Sequence, residues 1–269
     1  MIGRDQLERS ERYIFAQGRL LERQLYAHFF QKGRVEACLR ALLAYQNPDG
    51  GFGNGLEPDL LCPDSTMIGA ESAFYALDLL DEPAEEIVEG VVGWIEAHLN
   101  EQGTIDHPPP GLYDYPHQPW WENPDGERIL RLAATLQKWG TGDPTLLARI
   151  QAYYETIEPP EQIEYYGYPY YFYLKYCGTS EGDRVRLADW RAKLPAFLDR
   201  ERVHYPLFSR AWYDAAEDVD RQVLEREARR FVDGIQEDGG LDAPYPELPW
   251  WRPIWTLEGL IQLKRLGMM

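Results

Sequence analysis

The chain has 269 residues, with 27 Lys and Arg against 45 Asp and Glu and a formal net charge of −18. That balance argues against a nucleic-acid binder, which carries a basic face, and against attraction to anionic lipid. The hydrophobic share of 44% predicts a folded core rather than disorder.

The segments between Gly/Pro clusters exceed a typical strand in length and repeat their apolar residues at helical spacing, so the expected class is all-α. In chain order, helices are predicted over 4–30, 33–46, 65–80, 84–100, 124–139, 143–157, 161–176, 183–199, 201–214, 216–236 and 252–267. Asp64-Ser65-Thr66 supplies an N-cap for the third. Pro83 and Pro144 fall in first turns, where the missing N–H is tolerated. Residues 216–236 show one apolar stripe, Val219, Val223, Phe231 and Ile235, with Glu225, Arg226, Arg229 and Asp233 outside it, as in a surface helix. Residues 67–77 are apolar nearly all round, as in an enclosed helix. Alternation of the two kinds predicts two concentric layers in one domain spanning 1–269.

A repeat runs through these helices. Gln46-Asn47-Pro48-Asp49-Gly50-Gly51-Phe52 and Gln236-Glu237-Asp238-Gly239-Gly240-Leu241 each end an apolar helix with Gln followed by Asp-Gly-Gly. Leu99-Asn100-Glu101-Gln102-Gly103-Thr104-Ile105 is a weaker copy. A Pro-rich loop and another helix follow each. Glycine permits a sharp helix exit, and the Gln amide is expected to bond to backbone groups of a neighbouring turn. Glu71 and Glu258 lie at similar distances after the first and last Gly-Gly, and Pro119-Trp120-Trp121 has a counterpart in Pro249-Trp250-Trp251.

The stretch Gln46-Asn47-Pro48-Asp49-Gly50-Gly51-Phe52-Gly53 resembles the QW-type repeat of squalene–hopene cyclases and protein prenyltransferase β subunits. Gln236–Leu241 is a second, poorer match. The segment Gly51-Phe52-Gly53-Asn54-Gly55-Leu56-Glu57-Pro58-Asp59 is similar to bacterial prenyltransferase-like proteins. The resemblance implies an α/α toroid of about eleven helices, with inner helices around a central cavity and outer helices around them. The family's catalytic motifs are not matched in full. Of the cyclases' Asp-x-Asp-Asp only Asp64 is present, flanked by Cys62 and Ser65. The Asp-x-Cys zinc order of the prenyltransferases and the Asp-Asp-x-x-Asp magnesium motif are absent.

Glu57, Asp59 and Asp64 share one loop, where crowded carboxylates can raise one another's pKa and suit a general acid or a metal site; otherwise they cap and shape the loop. Glu71 lies in the apolar helix and shares a face with Ile68 and Tyr75. It must be paired or face a cavity, and it is expected within reach of the 57–64 loop or of the tyrosine-rich segment 164–176. Glu258 occupies the equivalent place in the last repeat. Tyr75, Trp120, Trp121, Tyr166, Tyr170, Tyr173, Trp212, Trp251 and Trp255 are candidate ring faces for an apolar or stacking ligand, or core.

His28, His98, His107, His117 and His204 show no metal spacing, and no phosphate-cradling or nucleophile-elbow pattern occurs, so no metal and no cofactor are expected. Cys38, Cys62 and Cys177 are scattered, no apolar run reaches 18 residues, and the first residues show no signal-peptide core. A cytoplasmic protein without a transmembrane segment is expected. Three functional readings stand open. One is an isoprenoid-binding toroid, acting by acid-initiated cyclisation from Asp64, Asp59 or Glu57. The second is a carbohydrate-active toroid using carboxylates such as Glu71, Asp59 and Glu258. The third is a non-catalytic binding scaffold.

Overall fold

The computed structural model describes residues 2–81, 84–242 and 245–269, so the expected place of Pro83 lies outside the described residues. Regular structure among them is helical, with isolated antiparallel bridges and no named strand. The α-helices are α1 Arg4–Gln17, α2 Leu20–Gln31, α3 Val35–Leu43, α4 Met67–Leu80, α5 Glu85–His98, α6 Arg128–Trp139, α7 Pro144–Tyr154, α8 Tyr168–Tyr176, α9 Glu181–Arg200, α10 Arg221–Asp233 and α11 Trp251–Arg265. No helix is long and apolar enough to cross a membrane among the described residues.

The expected segments do not map one to one onto these helices. The helix expected over 4–30 breaks at Gly18 and Arg19, both extended. Arg19 donates its backbone N–H to Glu22 Oε2 at 2.8 Å and its guanidinium to Glu22 Oε1 at 2.7 Å, which restarts the chain as α2. The helix expected over 201–214 is replaced by the short 3-10 segments Arg202–His204, Pro206–Phe208 and Tyr213–Asp218. Tyr205 takes a left-handed φ of 46° ahead of Pro206, whose missing N–H ends any continuing helix. His204 therefore sits in a 3-10 turn. Before α8 stand only a non-helical stretch after Pro159-Pro160 and the 3-10 turn Tyr165–Gly167. Likewise, α6 starts at Arg128, α3 stops at Leu43, and α10 starts at Arg221 behind Asp220, whose carboxylate accepts from Val223 N at 2.8 Å. Val219 is outside α10.

One cap and one first-turn proline are where the sequence places them. Thr66 Oγ1 accepts from Gly69 N at 3.1 Å at the start of α4, and Pro144 opens α7 behind Asp143. Every residue of α4 is buried, as its all-round apolar pattern requires.

The chain forms two compact units. Unit 1 comprises Met1–Ala41 and Arg191–Met269; unit 2 comprises Leu42–Trp190. In unit 1, α11 packs on α1, α2 and the 3-10 segment Pro206–Phe208. In unit 2, α6 packs on both α4 and α8. Burial of rings such as Trp190 and Phe172 in unit 2, or Trp212 and Phe231 in unit 1, is worth about 1.5–3 kcal/mol each.

All three repeat copies make the same turn. Backbone bridges join Gln46 to Phe52, Leu99 to Ile105 and Ile235 to Leu241. The glycines Gly50, Gly103 and Gly239 have φ of 88°, 90° and 93°. Each turn lands on the backbone of another helix in its own unit. A Cβ on Gly50 would lie 2.3 Å from the Gly90 carbonyl oxygen of α5, one on Gly103 2.7 Å from that of Arg149 of α7, and one on Gly239 2.4 Å from that of Arg9 of α1. Glycine is required there twice over, by handedness and by contact. The bridges also correct the expected register. Gln46 is equivalent to Ile235, and Gln236 to Asn47. The Gln46 amide donates to Gly50 O of its own turn at 3.0 Å, not to a neighbouring turn.

Candidate functional site

In unit 2, two loops are zipped together. Leu60 and His117 form a backbone bridge, Leu61 N donates to Pro116 O at 3.0 Å, and Gln118 N donates to Asp59 O at 3.1 Å. Beneath the zip, Leu60, Cys62, Ile68, Leu112 and Trp121 form a buried apolar cluster. Burial pushes the Cys62 thiol pKa up. On the same two loops Leu61, Tyr113, Tyr115 and Trp120 are exposed, Tyr113 by 66%. The Tyr113 ring meets His117 edge-on at 5.8 Å.

The candidate acids of the 57–64 loop are all hydrogen-bond acceptors. Asp59 Oδ1 accepts from the Trp121 indole N–H at 2.9 Å, Glu57 Oε2 from the Ser72 hydroxyl at 3.1 Å, and Asp64 Oδ2 from Gly111 N at 2.9 Å. Glu57 and Asp59 are buried, whereas Asp64 is half-buried.

Behind the loops lies a buried polar group centred on Arg128. Its guanidinium donates to Glu71 Oε2 at 2.7 Å, to Asp125 Oδ2 at 2.5 Å and to the Tyr168 hydroxyl. It also stands 5.7 Å from the Trp121 ring centroid. Burial works against the Arg128 charge, but Asp125, Tyr168 and Glu71 outweigh it and hold the pKa well above its ordinary value. Burial raises the Tyr168 phenol well above its ordinary value, against the pull of Arg128. Nearby His107 donates from Nε2 to the Trp121 carbonyl oxygen at 2.8 Å, and burial lowers its pKa. Glu71 thus reaches the tyrosine-rich segment through Tyr168, and its partner is an arginine. A second ion pair follows two turns along α4, where Asp78 accepts from Lys138 at 2.7 Å and from the Trp139 indole at 2.8 Å.

Unit 1 contains a matching group. Glu258 is buried on α11 and accepts from the Arg210 guanidinium at 2.7 Å and from the Arg210 backbone N at 3.0 Å. Arg210 lies 5.3 Å from the Trp251 centroid. Burial raises the Glu258 pKa despite Arg210. The two Pro-Trp-Trp sequences also match in exposure: Trp120 and Trp250 are each 42% exposed, and Trp121 and Trp251 each 7%.

The remaining candidate residues divide by burial. Tyr75, Tyr170 and Tyr173 are buried in unit 2, with Tyr173 against Tyr154 at 4.6 Å. Burial raises the pKa of Tyr170 and Tyr173 well beyond the ordinary phenol value. Tyr166 is exposed beside Tyr165. In unit 1, Trp212 packs fully buried on Phe197 at 4.6 Å, and Trp255 lies between Trp251 and Tyr245. Among the described residues, no group of three or more His, Cys, Asp and Glu is arranged to hold a metal ion.

Sequence reasoning missed Arg128, Arg210, Leu61, Tyr113 and Tyr115. A signal for the first was present. Residues 41–127 contain eighteen Asp and Glu and no Lys or Arg, so the whole net charge of −18 lies in them. Arg128 is the first cation after Arg40. Compared with known proteins, the chain matches no protein-family model, and no curated protein is significantly similar to it in sequence.

Proposed function

We propose that unit 2 binds a hydrophobic, ring-stacking small molecule, isoprenoid-like in its apolar surface, on an α/α-toroid scaffold of the terpenoid-cyclase and prenyltransferase type. The observation that carries this reading is the exposure of four large side chains, Leu61, Tyr113, Tyr115 and Trp120, on two loops that are zipped together. Large apolar side chains left exposed mark a contact site, and the loops that carry these are anchored by the buried cluster of Leu60, Leu112 and Trp121. The toroid part of the proposal is supported by the three equivalent turns, each seated on the backbone of a further helix of its unit.

The proposed activity is binding rather than acid-initiated cyclisation. Asp59, Glu57, Asp64 and Glu71 are each already engaged within the protein, accepting from the Trp121 indole, the Ser72 hydroxyl, the Gly111 N–H and the Arg128 guanidinium, contacts that tie loops and helices together. The second reading, a carbohydrate ligand, is favoured by one feature: the exposed Trp120 and Tyr113 rings stand on the same loop as the exposed carboxylates of Asp114 and Glu122.

Titration with geraniol, farnesol and a maltotetraose, followed by tryptophan fluorescence, tests the choice. Saturable binding of the isoprenoid alcohols, weakened at least tenfold in Trp120→Ala, is the expected result. Binding of the oligosaccharide alone selects the carbohydrate reading, and binding of none of them overturns the proposal.

A further inference from the structure

We infer that the ligand of this unit 2 face carries a positive charge, as an apolar ammonium does, and is not a prenyl diphosphate. The inference rests on the binding reading above and adds the sign of the ligand's charge. The two loops, 57–64 and 106–125, contain seven Asp and Glu and no Lys or Arg. Asp106, Asp114 and Glu122 among them are exposed, on the same loop as the exposed rings of Tyr113, Tyr115 and Trp120.

An aromatic face attracts a cation through its quadrupole, and neighbouring carboxylates add a Coulombic attraction of the same sign. Both repel or fail to hold an anion. A diphosphate is held by Arg forks, Lys or clustered backbone N–H groups. The cation nearest in sequence, Arg128, is buried and already donates to Glu71, Asp125 and Tyr168. The field is broad as well as local, since residues 41–127 carry the chain's entire net charge. Such a one-signed surface raises the local concentration and on-rate of cations and lowers those of anions, in a salt-dependent way.

The test compares three molecules sharing one C10 chain: geraniol, geranyl diphosphate and geranyltrimethylammonium, titrated by calorimetry at low and high ionic strength. The ammonium is expected to bind at least tenfold more tightly than the diphosphate at low salt, and the gap is expected to shrink as salt rises. The double variant Asp114→Asn/Glu122→Gln should narrow the gap while leaving geraniol binding unchanged. Equal affinities, or tighter binding of the diphosphate, overturn the inference and leave the apolar face standing. Binding of none of the three overturns both.

Discussion

Arg128 at the start of α6 donates to Glu71 in the middle of α4 at 2.7 Å, across 57 residues of sequence, with both side chains largely buried. The same guanidinium joins Asp125, Tyr168 and the Trp121 ring, so it ties together α4, α6, α8 and the loop behind the exposed aromatic face. Glu258, Arg210 and Trp251 repeat this acid–arginine–tryptophan arrangement in unit 1.

Removing one member of such a buried pair leaves an uncompensated charge. Arg128→Met is expected to destabilise the protein by about 3–5 kcal/mol, and Glu71→Gln, which keeps an acceptor for the guanidinium, by about 1–3 kcal/mol. The double variant should cost less than the sum, because neither charge is then stranded. Urea denaturation of the four proteins checks this; strict additivity would show that the two residues do not act as a pair.

The Asp-Gly-Gly turns offer a comparison within one protein. Gly140 also has a positive φ, of 71°, but a Cβ there meets nothing within 4 Å. Gly140→Ala should therefore cost only the left-handed strain, about 1–2 kcal/mol. Gly50→Ala and Gly239→Ala carry the same strain and also force α5 or α1 away, adding about 1–3 kcal/mol. Equal melting temperatures for all three variants would refute the role given to the turns.

The pH dependence of stability has two opposed contributions in unit 1. Burial pushes the Glu22 carboxyl up, but the Arg19 charge and hydrogen bonds prevail and hold it below its ordinary value. The unfolded chain then binds the extra proton, so the stabilisation is complete above the ordinary carboxylate range and is lost as pH falls through the folded value. Glu22→Gln should be less stable than the parent by about 1–3 kcal/mol at neutral pH, with the difference closing as pH falls below about 4. Glu258 is shifted the other way by burial, so its contribution declines as pH rises through its window. Glu258→Gln should accordingly change the slope of stability against pH in the opposite sense. Denaturation at a series of pH values reads both.

The paired tryptophans separate surface from core. Trp120→Ala should alter stability by no more than about 0.5 kcal/mol, whereas Trp121→Ala removes the ring between Asp59 and Arg128 and should cost about 3–5 kcal/mol. Comparable losses in the two variants would mean that Trp120 is core.

Much of this architecture is written locally in the sequence. The turns could be read because only glycine meets their backbone demands, and the burial of Glu71 because three-and-four spacing sets it beside Ile68 and Tyr75 on a helix apolar all round. What escaped depends on distant partners or on local exceptions. Arg128 and Arg210 sit 57 and 48 residues from the acids they pair with; nothing around Arg210 announces its pairing, and Arg128 is marked only by ending a long stretch without Lys or Arg. The break at Gly18 depends on Arg19 serving as a cap through Glu22, a role that arginine's propensity does not suggest. The apolar stripe of 216–236 continued past the true start of α10 because Val219 fits helical spacing while remaining extended. The acidic stretch 41–127 was hidden by counting charge over the whole chain.

The most direct test of the central claim is hydrogen exchange on the full chain with and without saturating geraniol. The account predicts added protection confined to the zipped loops, at Leu61 N and Gln118 N and their neighbours, whose hydrogen bonds join the two segments that carry Leu61, Tyr113, Tyr115 and Trp120. Protection confined to unit 1, or no change in the two loops under saturating ligand, would contradict it.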